Sequence, residues 1–421
     1  MGEGIEVVPA SGVDPVRASD PQPDPTKESE RMAAGFRLSE DQQAILEAAD
    51  RYGRERLAPL ARRMDDEEWW PDAEFRALGK EGYLGVTVPT ALGGADLDLF
   101  AGGLVLQAFS RWNHALGLSW VAHENLCLNN ILRNGSREQV ERFIPGLSDG
   151  SLIGCLGLTE PGAGSDALGS MATTAVRDGD AYVLNGRKLY ITNGPVADVC
   201  LLYAKTDPGA GAHGITAFLV EMDTPGCTVA QKMVKMGFRG SQTAELAFDD
   251  CRVPVGNVVG RENEGVKCVM SGLDLERAAI APICVGMAER ALELSIDFAK
   301  SRQQFGQPIA SFQMIQSRLA EMAVLVDTMR LYNYYALASL NDLPPGQGGR
   351  GDVHRIAATS VLYCADSLNE VLDHAAQIHG GVAYIWETEI NRLYRGIKLL
   401  EIGAGTTEVR KLIIAEEILK A

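Results

Sequence analysis

A glutamate at position 276 stands near the start of a helical stretch, in the run Ser271-Gly272-Leu273-Asp274-Leu275-Glu276-Arg277. A carboxylate there can serve as a general base if burial raises its pKa toward neutrality, whereas direct pairing with Arg277 would lower it, so Arg277 is expected to point elsewhere. Far along the chain, Glu401-Ile402-Gly403-Ala404-Gly405-Thr406-Thr407-Glu408 carries small residues and no acid at its centre. The loop Leu158-Thr159-Glu160-Pro161-Gly162-Ala163-Gly164-Ser165-Asp166 combines glycines, which let backbone approach a ligand closely, with hydroxyls that can bond a ring edge or a phosphate. Tyr190-Ile191-Thr192-Asn193-Gly194 adds a flat aromatic face beside another hydroxyl. Arg302 adds a planar cationic fork. Each feature also has a plainer reading: a solvated Glu-Arg pair, an ordinary glycine turn, a strand end, and Thr406 as the cap of a helix at Glu408-Val409-Arg410.

Those groups need elements to hold them. Ser39-Glu40-Asp41-Gln42 has the spacing of a helix capping box, with Ile45, Leu46 and Ala49 following at helical intervals. Helical patterns continue through Glu74 to Gly79 and Phe100 to Leu132, broken at Pro89 and Gly93-Gly94, so residues 36–155 read as an N-terminal helical domain. From Leu156 the texture changes to short β-rich runs, Ala181 to Leu184, Val199 to Ala204, Ile215 to Val220 and Glu245 to Phe248, between Gly, Pro, Asn and Asp turns. Residues 156–260 read as a middle β domain, and residues 261–421 as helical again, with one Pro/Gly-rich loop from Leu343 to Asp352. Pro282 lies inside the helix that bears Glu276 and is expected to bend it. Residues 1–35, rich in Pro, Asp and Glu, read as a disordered tail unlike either a signal peptide or an Arg-rich mitochondrial presequence.

A chain of 421 residues can bury a large core in more than one folded layer. Its formal charge of −17 argues against nucleic-acid binding, so an anionic ligand must find local cations or backbone N–H groups. The eight cysteines form no Cys-x-x-Cys pair and have no histidine at metal spacing, which points to buried, reduced thiols, no metal site and a cytoplasmic setting. The longest apolar run, Ala278 to Ala288, falls short of the roughly 20 residues of a membrane span. No Gly-x-Gly-x-x-Gly follows an early strand, which argues against a Rossmann site.

Together with Arg302-Gln303-Gln304-Phe305-Gly306-Gln307-Pro308-Ile309, Phe312-Gln313 and Gln377-Ile378-His379-Gly380-Gly381, these motifs resemble the acyl-CoA dehydrogenase family, and within it the isovaleryl-CoA branch. The likeness runs from about Leu38 to the C-terminus. It implies an α+β multidomain fold, with a helical N-terminal domain, a middle β domain and a C-terminal four-helix bundle around FAD. Most members place the catalytic base at the position of Ala404; the branch carries it on the helix, which makes Glu276 the base. The resemblance implies flavin contacts from Leu156, Leu158, Thr159, Gly164, Ser165, Tyr190, Ile191, Thr192, Thr406 and Glu408. Arg302, Phe305, Gln313, Gln377, Gly380 and Gly381 would serve a flavin held mainly by a neighbouring subunit, hence a homo-oligomer, a tetramer or dimer. Ser165, Asp274, Arg277, Ala404 and Gly405 would contact the acyl-CoA, the Ala404 N–H bonding the thioester oxygen. Electron-transfer flavoprotein would take the electrons.

Several positions depart from the family pattern. Tyr190 stands where Trp or Phe is usual, Ala383 where glycine is usual, and Leu400 and Lys267 where tyrosines are usual; Ala278-Ala279-Ile280 replaces bulkier aliphatics. A short branched acyl-CoA, isovaleryl-like, is the expected substrate, converted to its 2-enoyl-CoA. One methylene is worth only about 1 to 3 kcal/mol in an apolar pocket, so a longer or unusual acyl group, or a carrier-bound thioester, stays open. An oxidase would share the base, a monooxygenase of this architecture would not need it, and a catalytically silent partner subunit would have lost the site.

Overall fold

Ser39 caps the first described helix, α1 (Glu40–Tyr52): its hydroxyl accepts from the Gln42 N–H at 3.2 Å, and Gln42 Oε1 accepts from the Ser39 N–H at 3.0 Å, the reciprocal box that the spacing predicts. The computed structural model describes residues 37–344 and 348–420, so the expected tail and Phe36 lie outside the described residues. α2 (Ala58–Glu67), α3 (Asp72–Lys80), α4 (Leu99–Val121), α5 (Asn129–Asn134) and α6 (Arg137–Asp149) complete the N-terminal helices. α4 is buried along nearly its whole length, which follows from an apolar surface on all sides. Between α4 and α5 the backbone widens into π turns over Ala122–Leu128. Glu124, buried there, accepts from the N–H groups of Gly85 at 2.9 Å and Val86 at 2.6 Å, and burial pushes its carboxyl up to about 7.

The sheet begins with β1 (Gly154–Gly157), followed by β2 (Thr174–Asp178), β3 (Ala181–Thr192), β4 (Val199–Lys205), β5 (Ile215–Glu221), β6 (Cys227–Lys232), β7 (Thr243–Pro254) and β8 (Val258–Val259). Strand order is β6-β7-β3-β2-β4-β5-β8, with β1 parallel to β4, Gly154 opposite Val199. All four β-rich runs of the sequence fall inside β3, β4, β5 and β7. β4 and β5 are buried on both faces, so they read as continuous apolar runs. Val199, Leu201 and Tyr203 pack against Leu128, Ile131, Phe143 and Leu147 of the helical region, while the alternate residues Cys200, Leu202 and Ala204 join Cys155, Leu184, Phe218 and Phe248.

The turn Gly237 to Ser241 joins three regions. Phe238, in the left-handed region at φ 51°, is buried edge-on against His114 at 4.9 Å. Arg239 Nε donates to the Asp65 carbonyl at 2.7 Å. A Cβ at Gly237 would meet the carbonyl oxygen of Arg395 at 2.4 Å, so only glycine fits.

The C-terminal helices are α7 (Gly265–Ser301), α8 (Gln313–Leu340), α9 (Gly351–His379), α10 (Glu389–Ile402) and α11 (Thr407–Lys420). Pro282 does not divide α7, which runs as one helix of 37 residues. Its neighbours from Ala278 to Ala288 are packed in the main core, which holds the helix through the one backbone bond that proline cannot make. A two-residue hairpin of β9 (Gln303–Gln304) and β10 (Gln307–Pro308) follows, turning at Phe305 and Gly306, both at positive φ as a type I′ turn requires. Among the described residues no helix is long and apolar enough to cross a membrane, no group of three or more His, Cys, Asp or Glu could hold a metal, and all eight cysteines are buried and outside any disulfide.

Candidate active site

α7 carries Glu276 inward to 8% exposure. Burial pushes its carboxyl up to about 7, against the opposing pull of Arg277 and Arg410. Arg277 turns away from its neighbour: Nη1 pairs with Asp274 at 3.2 Å, and Nε donates to the Ala404 carbonyl at 3.3 Å. That bond spans 127 positions and brings the turn before α11 onto the helix that bears Glu276. Thr406 accepts from the Val409 N–H at 3.3 Å, capping α11, while Glu408 is exposed.

Asp274, expected at the coenzyme A arm, has no exposed surface. Its carboxylate accepts from the Gly349 N–H at 2.6 Å and lies 2.6 Å from His354 Nδ1, besides holding Arg277. With its oxygens taken by protein groups, it orders Arg277 and the loop before α9. Sequence reasoning missed His354 and Arg410. Arg410 is fully buried, a placement that nothing in its helical pattern distinguishes from a solvated cation.

A second group gathers at the ends of β1 and β3. Leu156 and Leu158 are half-buried, Ile191 is buried, Thr192 is half-buried, and Gly164 and Ser165 are exposed. The Leu189 N–H donates to the Thr159 carbonyl at 2.8 Å, so the glycine loop lies against β3. Lys188 Nζ, also missed by sequence reasoning, donates to the Leu158 carbonyl at 3.1 Å and to Glu160 at 2.8 Å. Glu160 also accepts from the N–H groups of Ala172 at 2.6 Å and Thr173 at 3.0 Å. Burial pulls the Glu160 carboxyl up, but Lys188 and the hydrogen bonds outweigh it and hold it below its ordinary range. A register shift between Lys188 and Ile191 leaves Tyr190 at φ 60° and 65% exposed. Asn193 Nδ2 donates to the carbonyls of Ser119 at 2.8 Å and Gly154 at 3.3 Å, anchoring this end to α4 and β1.

The third group stands apart. Arg302, Phe305 and Gln313 follow α7, and Gln377, Gly380 and Gly381 end α9; all six are exposed, Phe305 at 93%. Phe298 and His379, stacked at 4.5 Å, hold those two helix ends together. Among the described residues no hydrogen bond or ion pair joins this group to Glu276 or to the sheet loops. A cavity of about 570 Å³ between α1, α4 and α8, lined by Arg51, Arg111, Arg330 and Tyr334 among others, contains none of the candidate residues.

Three family descriptions cover the chain in order: acyl-CoA dehydrogenase N-terminal domain over residues 39–151, middle domain over 155–251 and C-terminal domain over 263–419. The chain belongs to the acyl-CoA dehydrogenase family. It is 42% identical over 381 residues to the mitochondrial isovaleryl-CoA dehydrogenase of Pongo abelii, covering 90% of this chain and 88% of that protein. The solved butyryl-CoA dehydrogenase from Megasphaera elsdenii matches with a TM-score of 0.87 and 34% identity over 91% of this chain and 99% of that one. PigA with FAD and proline matches with a TM-score of 0.86 and 30% identity over 92% of this chain and all, 100%, of that one.

As an acyl-CoA dehydrogenase the protein is a flavin-dependent oxidoreductase acting on CH–CH bonds, with FAD as its cofactor. The residues present fit that group. A Cβ built at Gly162 or Gly164 meets nothing within 4 Å, so the loop edge is open to a ligand, and the Tyr190 ring stands exposed beside it where a flat ring system can stack.

Proposed function

We propose that this acyl-CoA dehydrogenase oxidises a short branched acyl-CoA, isovaleryl-like, to its 2-enoyl-CoA, with Glu276 as the base. The supporting observation is a buried carboxyl near neutrality, tied through its neighbour Arg277 to a turn whose central residue, Ala404, has no acid of its own. Glu276 removes the α-proton as that C–H bond breaks. The Ala404 N–H donates to the thioester oxygen, stabilising the charge that develops there. Bound FAD supplies the two-electron acceptor for the β-hydrogen, which leaves with its electron pair as the carbon–carbon double bond forms. Thr159, Ser165 and Thr192 offer hydroxyls to the flavin or the substrate phosphates, and Tyr190 a stacking face, held in place by the Lys188–Glu160 pair. Arg302, Phe305, Gln313, Gln377, Gly380 and Gly381 serve the flavin of a second copy, so the working form is a homo-oligomer, a tetramer. Electron-transfer flavoprotein reoxidises it.

The 42% identity to an isovaleryl-CoA dehydrogenase supports this substrate. Likeness to the prolyl acyl carrier protein oxidase AnaB, at 31% identity and a TM-score of 0.85, favours a second reading in which the acyl group is unusual or carrier-borne. Anaerobic titration of the FAD-loaded protein with isovaleryl-CoA, other acyl-CoAs and carrier-linked thioesters tests both. Bleaching of the flavin by isovaleryl-CoA ahead of the rest is expected; bleaching by a carrier-linked thioester alone would overturn the first reading. Reoxidation by electron-transfer flavoprotein rather than air separates a dehydrogenase from an oxidase.

A further inference from the structure

Ala404 is held in a conformation that it does not favour. Its φ is 55° and that of Gly405 is 92°, the left-handed region that costs a residue with a Cβ roughly 1 to 2 kcal/mol. Both peptide planes that flank Ala404 are gripped by arginines. Arg277 Nε donates to the Ala404 carbonyl, and Arg410 Nη2 donates to the Gly403 carbonyl. A trans peptide is planar, with its C=O and N–H on opposite edges, so fixing the Gly403 carbonyl fixes the direction of the Ala404 N–H.

Arg410 is an unusual residue for a purely structural clamp. It has no exposed surface, and its Nε and Nη1 find no hydrogen-bond partner among the described residues. A fully buried guanidinium with two unmet donors is costly unless its charge or geometry does something in return. The ionisable groups around it are Cys284, Arg277, Asp366 and Glu276. Arg277 in turn is fixed by Asp274, which His354 and the Gly349 N–H hold from α9 and the loop before it. Three helices, α7, α9 and α11, thus converge on one turn of backbone.

We propose that Arg410 is a positioning residue of the reaction: by gripping the Gly403 carbonyl it aims the Ala404 N–H at the thioester oxygen, with Arg277 fixing the next peptide. This rests on the reading of Ala404 N–H as the donor to that oxygen. Arg410 itself touches no reacting atom.

The test uses FAD-loaded wild type, Arg410→Lys, Arg410→Met and Glu276→Gln, with acetoacetyl-CoA as a probe whose acidic α-proton makes its enolate visible by absorbance. A working donor lowers the pH at which the bound enolate appears relative to free probe. In Arg410→Met the midpoint is expected to rise by about one unit or more, a tenfold loss of enolate stabilisation. kcat is expected to fall about tenfold or more, while KM and FAD content stay within about a factor of three. Arg410→Lys, which keeps the charge and one donor, recovers part of both and carries the test if Arg410→Met does not fold. Unchanged midpoints in both variants, or losses that track FAD release, would overturn the proposal. A wild-type midpoint equal to that of free probe would remove the donor, and the positioning role with it. Turnover surviving in Glu276→Gln would instead remove the base while leaving the midpoint comparison intact.

Discussion

Glu276 and Arg277 are adjacent in the chain, yet Arg277 forms its ion pair with Asp274 at 3.2 Å, and its Nε reaches the Ala404 carbonyl. The helix therefore supplies a carboxylate and a cation side by side without letting the second neutralise the first. Had they paired directly, the Glu276 carboxyl would lie lower and would be a weaker base for the proposed removal of an α-proton.

Replacing Glu276 by Gln is expected to leave FAD bound and to lower kcat by about 100- to 10,000-fold. In the wild type, only the ionised carboxylate can accept the proton. kcat/KM should therefore fall about tenfold per pH unit below about 7 and level off above it. A pH–rate profile of the purified holoenzyme checks this; a flat profile from pH 5 to 8 would separate Glu276 from the chemistry.

The same burial has a cost in stability. Glu276 has a folded pKa of about 7 against an ordinary 4.5, so the fold prefers the protonated acid. Its contribution is full below about 4.5 and is lost as pH rises to about 7. Glu276→Gln should therefore be more stable than wild type at pH 8, by up to the order of 3 kcal/mol, and no more stable near pH 4. Melting temperatures of both holoproteins across that range decide it, and a gap independent of pH would contradict the argument.

Lys188→Met leaves Glu160 buried without its cation. Breaking such a pair from one side costs about 3 to 5 kcal/mol. Because Lys188 also holds the Leu158 carbonyl, the loop through Thr159 should loosen and FAD should bind more weakly. Thermal melting with parallel FAD titration measures both, and since the pair is buried, the gap in melting point between variant and wild type should change little with salt.

Gly237→Ala forces a methyl against the Arg395 carbonyl. A destabilisation of about 1 to 3 kcal/mol is expected, with unchanged activity per bound flavin below the melting transition. Loss of specific activity in the folded variant would give this turn a role in the chemistry that its contacts do not suggest.

The sequence by itself carried the order of helical and β segments, the capping box at Ser39 and the strands of the middle region. These are local: apolar period, turn residues and motif spacing are written within a dozen positions. Tertiary structure alone decided the rest. Arg410, Lys188 and His354 look like ordinary solvated side chains in one dimension, yet all three are buried. The π turns at Ala122–Leu128 have no period of their own to announce them. Asp274 read as a ligand contact and is enclosed by groups 75 and 80 positions away. Whether a charge is a surface group, a clamp or a base depends on the low-dielectric surroundings that distant segments build around it, and no local pattern encodes those surroundings.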